Sequence, residues 1–489
     1  MENIFQKNTL NMIWISLLFF VLCISVIFLQ FFFVPHPNYE MLNIGIFSSI
    51  LIYHVVYFFI LVKIEENFRF ILFTPLFWYK LVSLLFFGVG PLVYYFGSDL
   101  TIAIINIYYI VTDEILFRIS VIYLFVIILT DILFLFQDTL LPFKKEREAK
   151  NINKELLLFI SLSIGIISKY FLILPSFMEI IPPPPGIFHA MSNLMYVSLF
   201  LLYNLGEEKN SIYKTLFYLI LSVEIFSSFL LLSKESLILP VMFAAFTIFF
   251  HKKNLKNLVI IGLVGFILYA LVIQNLFLIL RTAPEMTKND TGFQIKSVEQ
   301  LTGVFNSLQD DGYYLGSYQA WWERLSMAVY QGYAIEAYDN DLNGTTFGTM
   351  KFIIVPRFLY PEKPNLNYGH IYNHLITNVY NERVPNSVAP GIFIEAFWNG
   401  GWIYLTIVIF YFSILLFYFS RLIIKNMKEK NYLILIIGMN AIYLGRSMDD
   451  WFVARYGSFI LTMLITYIFI ITIYYIFEII LKTVAIENE

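Results

Sequence analysis

Twelve stretches of this 489-residue chain are apolar over most of a membrane's thickness, and no other feature constrains the fold so tightly. A helix needs about 20 mostly apolar residues to cross about 30 Å of hydrocarbon. Such runs lie near residues 12–34, 41–62, 70–96, 115–141, 155–174, 187–204, 213–232, 236–250, 257–280, 392–420, 431–447 and 457–481. The run 100–112 is too short to cross and reads as an interfacial or re-entrant piece. Only 14% of residues are charged and 59% are hydrophobic, against about 25% charge in a soluble domain, so an ordinary soluble protein is excluded. The net charge of −3 leaves no basic surplus for nucleic acid. The single cysteine, Cys23, excludes an intrachain disulfide and a cysteine-based metal site. The expected fold is an all-α polytopic membrane protein of about 12 transmembrane helices.

Basic residues set the orientation, because Lys and Arg accumulate on the cytoplasmic side. With twelve spans, 18 of them fall on one face, including the run Lys144, Lys145, Arg147, Lys150 and Lys154. Both termini are then cytoplasmic, and the first span is a retained anchor, since no small-residue cleavage site follows it. The same parity places residues 281–391 outside, as one large, partly helical extracytoplasmic loop. Stretches 296–310 and 317–338 read as helices, the second with an aromatic face around Trp321, Trp322 and Tyr330. The chain thus divides into an N-terminal bundle 1–280, the loop 281–391 and a C-terminal segment 392–489.

The two cations are distributed differently. Of 22 lysines, 15 fall on the cytoplasmic side; of 10 arginines, six fall outside: Arg281, Arg324, Arg357, Arg383, Arg446 and Arg455. Topology alone pushes both inward. A guanidinium fork binds phosphate oxygens in bidentate fashion and keeps its charge in a partly dry site, so this excess points to an anionic ligand. Within the spans, Lys80, Arg118, Asp131, Lys169 and Glu224 each cost roughly 2.5–3.5 kcal/mol at a helix centre and should face the bundle interior. Lys80 and Glu224 are the expected pair, with Arg118 and Lys169 snorkelling toward headgroups.

Phosphate-loop, zincin and nucleophile-elbow patterns are absent from the sequence. Asp339-Asn340-Asp341 has the form of a cation-binding DxD but runs into Asn343-Gly344 and reads as a turn. His370 and His374 share a helical face without a third ligand, so no metal site is expected. In PRFLYPEKPNLNYGHIYNH, three prolines stiffen the backbone that carries Arg357, Lys363 and His370. Downstream, SVAPGIFIEAFWNGGW puts Glu395 one turn into the tenth span. Arg, Lys, His and Glu on one rim suit an anionic lipid head and a proton transfer.

Residues 220–460 resemble the Wzy-type repeat-unit polymerases of bacterial O-antigens and capsules, relatives of the O-antigen ligases among GT-C-like membrane glycosyltransferases. The resemblance rests on LLLSKESLILPVMF, on PRFLYPEKP and on SVAPGIFIEAFWNGGW, with Ser233-Lys234 where SR is commoner. It implies polymerisation of undecaprenyl-diphosphate-linked oligosaccharide repeat units at the outer leaflet of the bacterial inner membrane, without a cofactor or metal. It also implies the bilayer, a chain-length regulator and a flippase as partners. Arg281, Arg357 and Arg446 would contact the diphosphate, followed by Arg324, Arg455, Lys363 and Lys234. His370 would be the base for the acceptor hydroxyl, with Glu395 the second choice. An O-antigen ligase or other lipid-linked-sugar glycosyltransferase would share these features and differ in acceptor. A flippase or transporter is the non-enzyme alternative; its paired repeats are missing from a nine-plus-three division.

Overall fold

The computed structural model describes residues 38–64, 68–136, 152–178, 180–231, 234–274, 276–277, 288–289, 292–293, 320–354, 360, 362, 368–377 and 388–487, with isolated positions between 14 and 29. They are almost entirely helical; a two-rung antiparallel pairing of Lys288–Asn289 with Gly292–Phe293 is the β structure among them. In chain order the main helices are α1 (Tyr39–Ile64), α2 (Pro75–Ser83), α3 (Asp99–Ile105), α4 (Asp113–Leu135), α5 (Lys154–Ile166), α6 (Ile187–Ser192), α7 (Leu194–Glu208), α8 (Ser211–Leu230), α9 (Lys234–Lys252) and α10 (Leu255–Leu268). They continue with α11 (Ala328–Asp339), α12 (Tyr368–Thr377), α13 (Ile392–Lys428), α14 (Ile434–Arg446) and α15 (Phe452–Glu487). Turns of π-helix extend α2 over Leu84–Val89, α5 over Ile167–Ile173 and α10 over Tyr269–Ile273.

Short polar side chains start these apolar helices by accepting the first free backbone N–H groups. Thr74 caps α2 with Pro75 at its first position, Thr112 caps α4, Asn153 caps α5 and Asn254 caps α10. Among the described residues, nine helices are long and apolar enough to cross a membrane. The chain is therefore a multi-pass membrane protein. The first expected span falls largely outside the described residues. Two others take a different form. Span 187–204 is broken at Asn193, whose side chain turns aside to donate to Asn440 at 2.9 Å. Span 431–447 is the 13-residue α14, cut short by polar turns at both ends. Of the large loop, 296–310 lies outside the described residues, and 317–338 resolves into Ala320–Glu323 and α11 rather than one helix.

The helices form two compact units that interleave along the chain. The first comprises Met1–Glu146, Gln319–Arg421 and Ile442–Phe459; the second comprises Arg147–Tyr318, Leu422–Ala441 and Ile460–Glu489. In the core of the first, Lys80 donates to Asp131 at 2.5 Å, Tyr53 donates to the other carboxylate oxygen, and the ammonium sits 4.7 Å from the Tyr57 ring centre. In the second, Lys169 pairs with buried Glu224, which also accepts the Tyr170 hydroxyl at 2.5 Å. The expected Lys80–Glu224 pair is thus replaced by two local pairs, each within one unit. Where snorkelling was expected, Lys169 and Arg118 form ion pairs within the protein. Each has a carboxylate nearer to hand, Glu224 for Lys169 and Asp339 for Arg118. A charge in hydrocarbon takes the closest counter-charge available, because the alternative is an unpaid desolvation cost.

Candidate functional site

Within the first unit, residues 447–451 turn the chain from α14 into α15, and the stretch 388–392 and α12 both pack on that turn. Ile392 at the start of α13 donates its N–H to the Met448 carbonyl at 3.0 Å. The Trp451 indole donates to the Val388 carbonyl at 3.0 Å, and Val388 in turn donates to Gly369 of α12 at 3.3 Å. The rings of Tyr368 and Tyr372 pack on Trp451 at 5.7 and 5.2 Å. Tyr372 also donates its hydroxyl to the Tyr330 carbonyl of α11. Burial pushes the Tyr372 phenol well above its ordinary range, so it remains a donor.

Glu395 is fully buried at the centre of this arrangement. One oxygen accepts the Thr346 hydroxyl at 2.6 Å, and the other accepts the Phe452 N–H, with the Val453 backbone bonding alongside. The carboxylate therefore caps the N-terminus of α15 from another helix, where the free N–H groups and the helix dipole favour an anion. Asn399, one turn on, donates to Thr346 Oγ1 at 2.9 Å and accepts the Phe347 N–H at 3.2 Å. The next residues break α13: Gly401 has φ +59°, and a Cβ there would collide with the Tyr338 hydroxyl. The NGGW motif is thus a helix break built around one inserted tyrosine.

The turn brings together four of the expected site residues. Arg446 ends α14 with its guanidinium carbon 4.2 Å from the Tyr443 ring centre. Arg455, in the first turn of α15, donates Nε to Asp450, which also accepts the Trp451 N–H at 2.8 Å. His370 is half-buried on α12, the helix held against Trp451. Glu395 is enclosed beneath them, its oxygens already engaged, so its place is that of a support rather than a base facing an acceptor. Arg324 is exposed near Tyr330, whose phenol is raised by burial and lowered in part by that charge. Lys234 belongs to the second unit and donates to the buried Gln274 side chain. Arg281, Arg357 and Lys363 lie outside the described residues.

The DxD segment is occupied by protein. Arg118 forks both oxygens of Asp339, the second at 2.8 Å, and Asp341 takes φ +59° in the following turn. Among the described residues, no three His, Cys, Asp or Glu side chains gather as metal ligands. Sequence reasoning passed over Thr346, Asn399, Asp450 and Trp451. The pair Asp449-Asp450 between two apolar runs was the available signal for the turn. Comparison with protein-family models, curated proteins and solved structures returns no match.

Proposed function

We propose that the protein is a membrane glycosyltransferase that polymerises polyprenyl-diphosphate-linked oligosaccharide repeat units at the outer leaflet of a bacterial inner membrane. The observation that carries this reading is the placing of Arg446 and Arg455 on either side of one turn, with the His370-bearing helix docked on that turn. Two guanidinium groups on a partly exposed rim suit the leaving diphosphate, whose charge grows as its bond to the sugar breaks. Arg281 and Arg357 would complete the clamp. His370 takes the proton of the acceptor hydroxyl as that oxygen bonds to the sugar carbon, and the lipid diphosphate departs with the bonding electrons. Glu395 holds α15 in place and so sets the position of Arg455. The substrate class rests on the resemblance of these motifs to Wzy-type polymerases.

A deletion strain tests the reading directly. Surface glycan reduced to single-repeat caps supports polymerisation. Lipid-linked polymer retained inside the envelope points to a ligase instead, and unaltered glycan rejects both.

A further inference from the structure

We infer that the chain from Phe96 to Ile110, together with α12, forms a rim seated in the bilayer at the boundary between acyl chains and headgroups. Leu100 and Ile104 lie one turn apart on one exposed face of α3, and Phe96, across the extended Gly97–Ser98 link, is exposed too. Beyond the end of α3, Ile107 and Ile110 are exposed by 68% and 74%. The opposite side is closed: Thr101 is fully buried and bonded to the Ser98 cap, and Val111 is buried. On α12, Ile371 and Leu375 are exposed one turn apart, with Tyr372 and Ile376 buried about 100° further around the helix.

The two ridges are fixed to one support. Tyr109 donates its hydroxyl to Glu336 of α11 at 2.5 Å, and its ring meets Tyr333 at 6.2 Å. Tyr333 meets Tyr372 of α12 at 5.7 Å. Burial and the hydrogen bond to Glu336 raise the Tyr109 phenol, which keeps it a donor. The bilayer is the occupant because the chain on either side of 97–112 belongs to a membrane-crossing helix, Pro75–Phe96 before it and Asp113–Leu135 after it. The segment therefore cannot leave the membrane surface. It carries one charge, Asp99, and its Tyr108 and Tyr109 have the apolar body and polar tip that settle at headgroup level. Exposed to water, the same side chains would be a contiguous apolar patch of the kind that drives association. Since α12 also carries Trp451's packing, the rim and the arginine-bearing turn share a scaffold. The inference concerns membrane seating and holds whatever group the site transfers.

The test places one cysteine at a time in a Cys23→Ser background, at Ile107→Cys, Ile371→Cys and, as a polar reference at the end of α11, Asn340→Cys. Each is labelled with an environment-sensitive fluorophore in nanodiscs. Nitroxide lipids labelled near the headgroup should quench positions 107 and 371 more strongly than lipids labelled near the chain terminus. Aqueous iodide should quench position 340 far more than either. Iodide quenching at 107 or 371 equal to that at 340 would place the rim in water and overturn the inference. Protection from both lipid and aqueous quenchers would overturn it too, since a protein surface would then cover the patch.

Discussion

Charges inside the helical bundles and charges at the α14–α15 turn and α11 follow opposite rules. Lys80 and Asp131 have side chains exposed by 1% and 3%, and Lys169 and Glu224 by 13% and 0%. Arg455 and Asp450 are exposed by 52% and 27%, and Arg118 and Asp339 by 35% and 41%. In each enclosed pair a tyrosine hydroxyl, Tyr53 or Tyr170, donates to the carboxylate oxygen that the lysine leaves open. These pairs hold helices in register and offer nothing to a ligand. The exposed pairs are not enclosed by protein, and where water reaches such a pair it is worth about 0–1 kcal/mol and an incoming phosphate can compete for the guanidinium. Ionisable residues in a membrane protein are therefore better sorted by enclosure than by depth.

The largest effect should come from opening a closed pair. Lys80→Met leaves Asp131 buried without its counter-charge, which costs about 3–5 kcal/mol. Folded protein recovered as a monodisperse peak in detergent should fall sharply. Lys80→Met with Asp131→Leu removes both charges and should restore most of it. Equal loss in the double variant would mean that the site needs charge for something other than mutual neutralisation.

How far sequence reached is clearest in that pair. Hydrophobic run length located most helices to within a few residues, because hydrocarbon thickness acts locally. The capping Thr and Asn residues, found in the structure, act just as locally. Which charge meets which is a tertiary fact: Lys80 and Asp131 lie 51 residues apart, and nothing in their spacing prefers Asp131 over Glu224. The break at Asn193 likewise depends on Asn440, 247 residues away. At the site, Arg446 and Arg455 were singled out by the expected excess of arginine on the outer side. Glu395 was legible as an acid near the start of a span, but its burial and its part in capping α15 required knowing that Phe452 starts a helix beside it.

Next in size is a change at the open turn. Arg446→Lys keeps the charge and loses the planar fork stacked on Tyr443. Transfer on purified lipid-linked repeat units should fall by about 30- to 1000-fold, the equivalent of roughly 2–4 kcal/mol in the transition state, with unchanged melting temperature. Wild-type turnover from that variant would leave Arg446 out of the site.

A moderate effect is expected where α13 breaks. Gly401→Ala must adopt an essentially glycine-only backbone conformation (φ +59°, ψ −147°), at a cost of about 1–3 kcal/mol, and must also push aside Tyr338. The melting temperature should drop, and Tyr338→Phe should recover part of the loss by removing the hydroxyl the new methyl meets. No recovery would assign the whole penalty to the backbone.

The smallest effect is predicted at the rim pair farthest from the arginine-bearing turn, and it bears on the chemistry most directly. Asp339 is the only carboxylate of the DxD segment held by a guanidinium, and a hard cation there would have to displace Arg118 from both of its oxygens. Asp341, on the far side of the turn, gives at most a second ligand group, whereas such ions take six or more oxygens or keep much of their own water. Arg446 and Arg455 already bring the positive charge that a divalent ion would supply to a diphosphate. Asp339→Asn should therefore change the melting temperature only slightly, as expected of a half-exposed pair. Transfer by wild type and by the variant should persist in excess EDTA. Activity abolished by chelation and restored by Mg²⁺ would shift the catalytic centre to the DxD segment, and the distinction between closed and open charges would then lose its functional meaning.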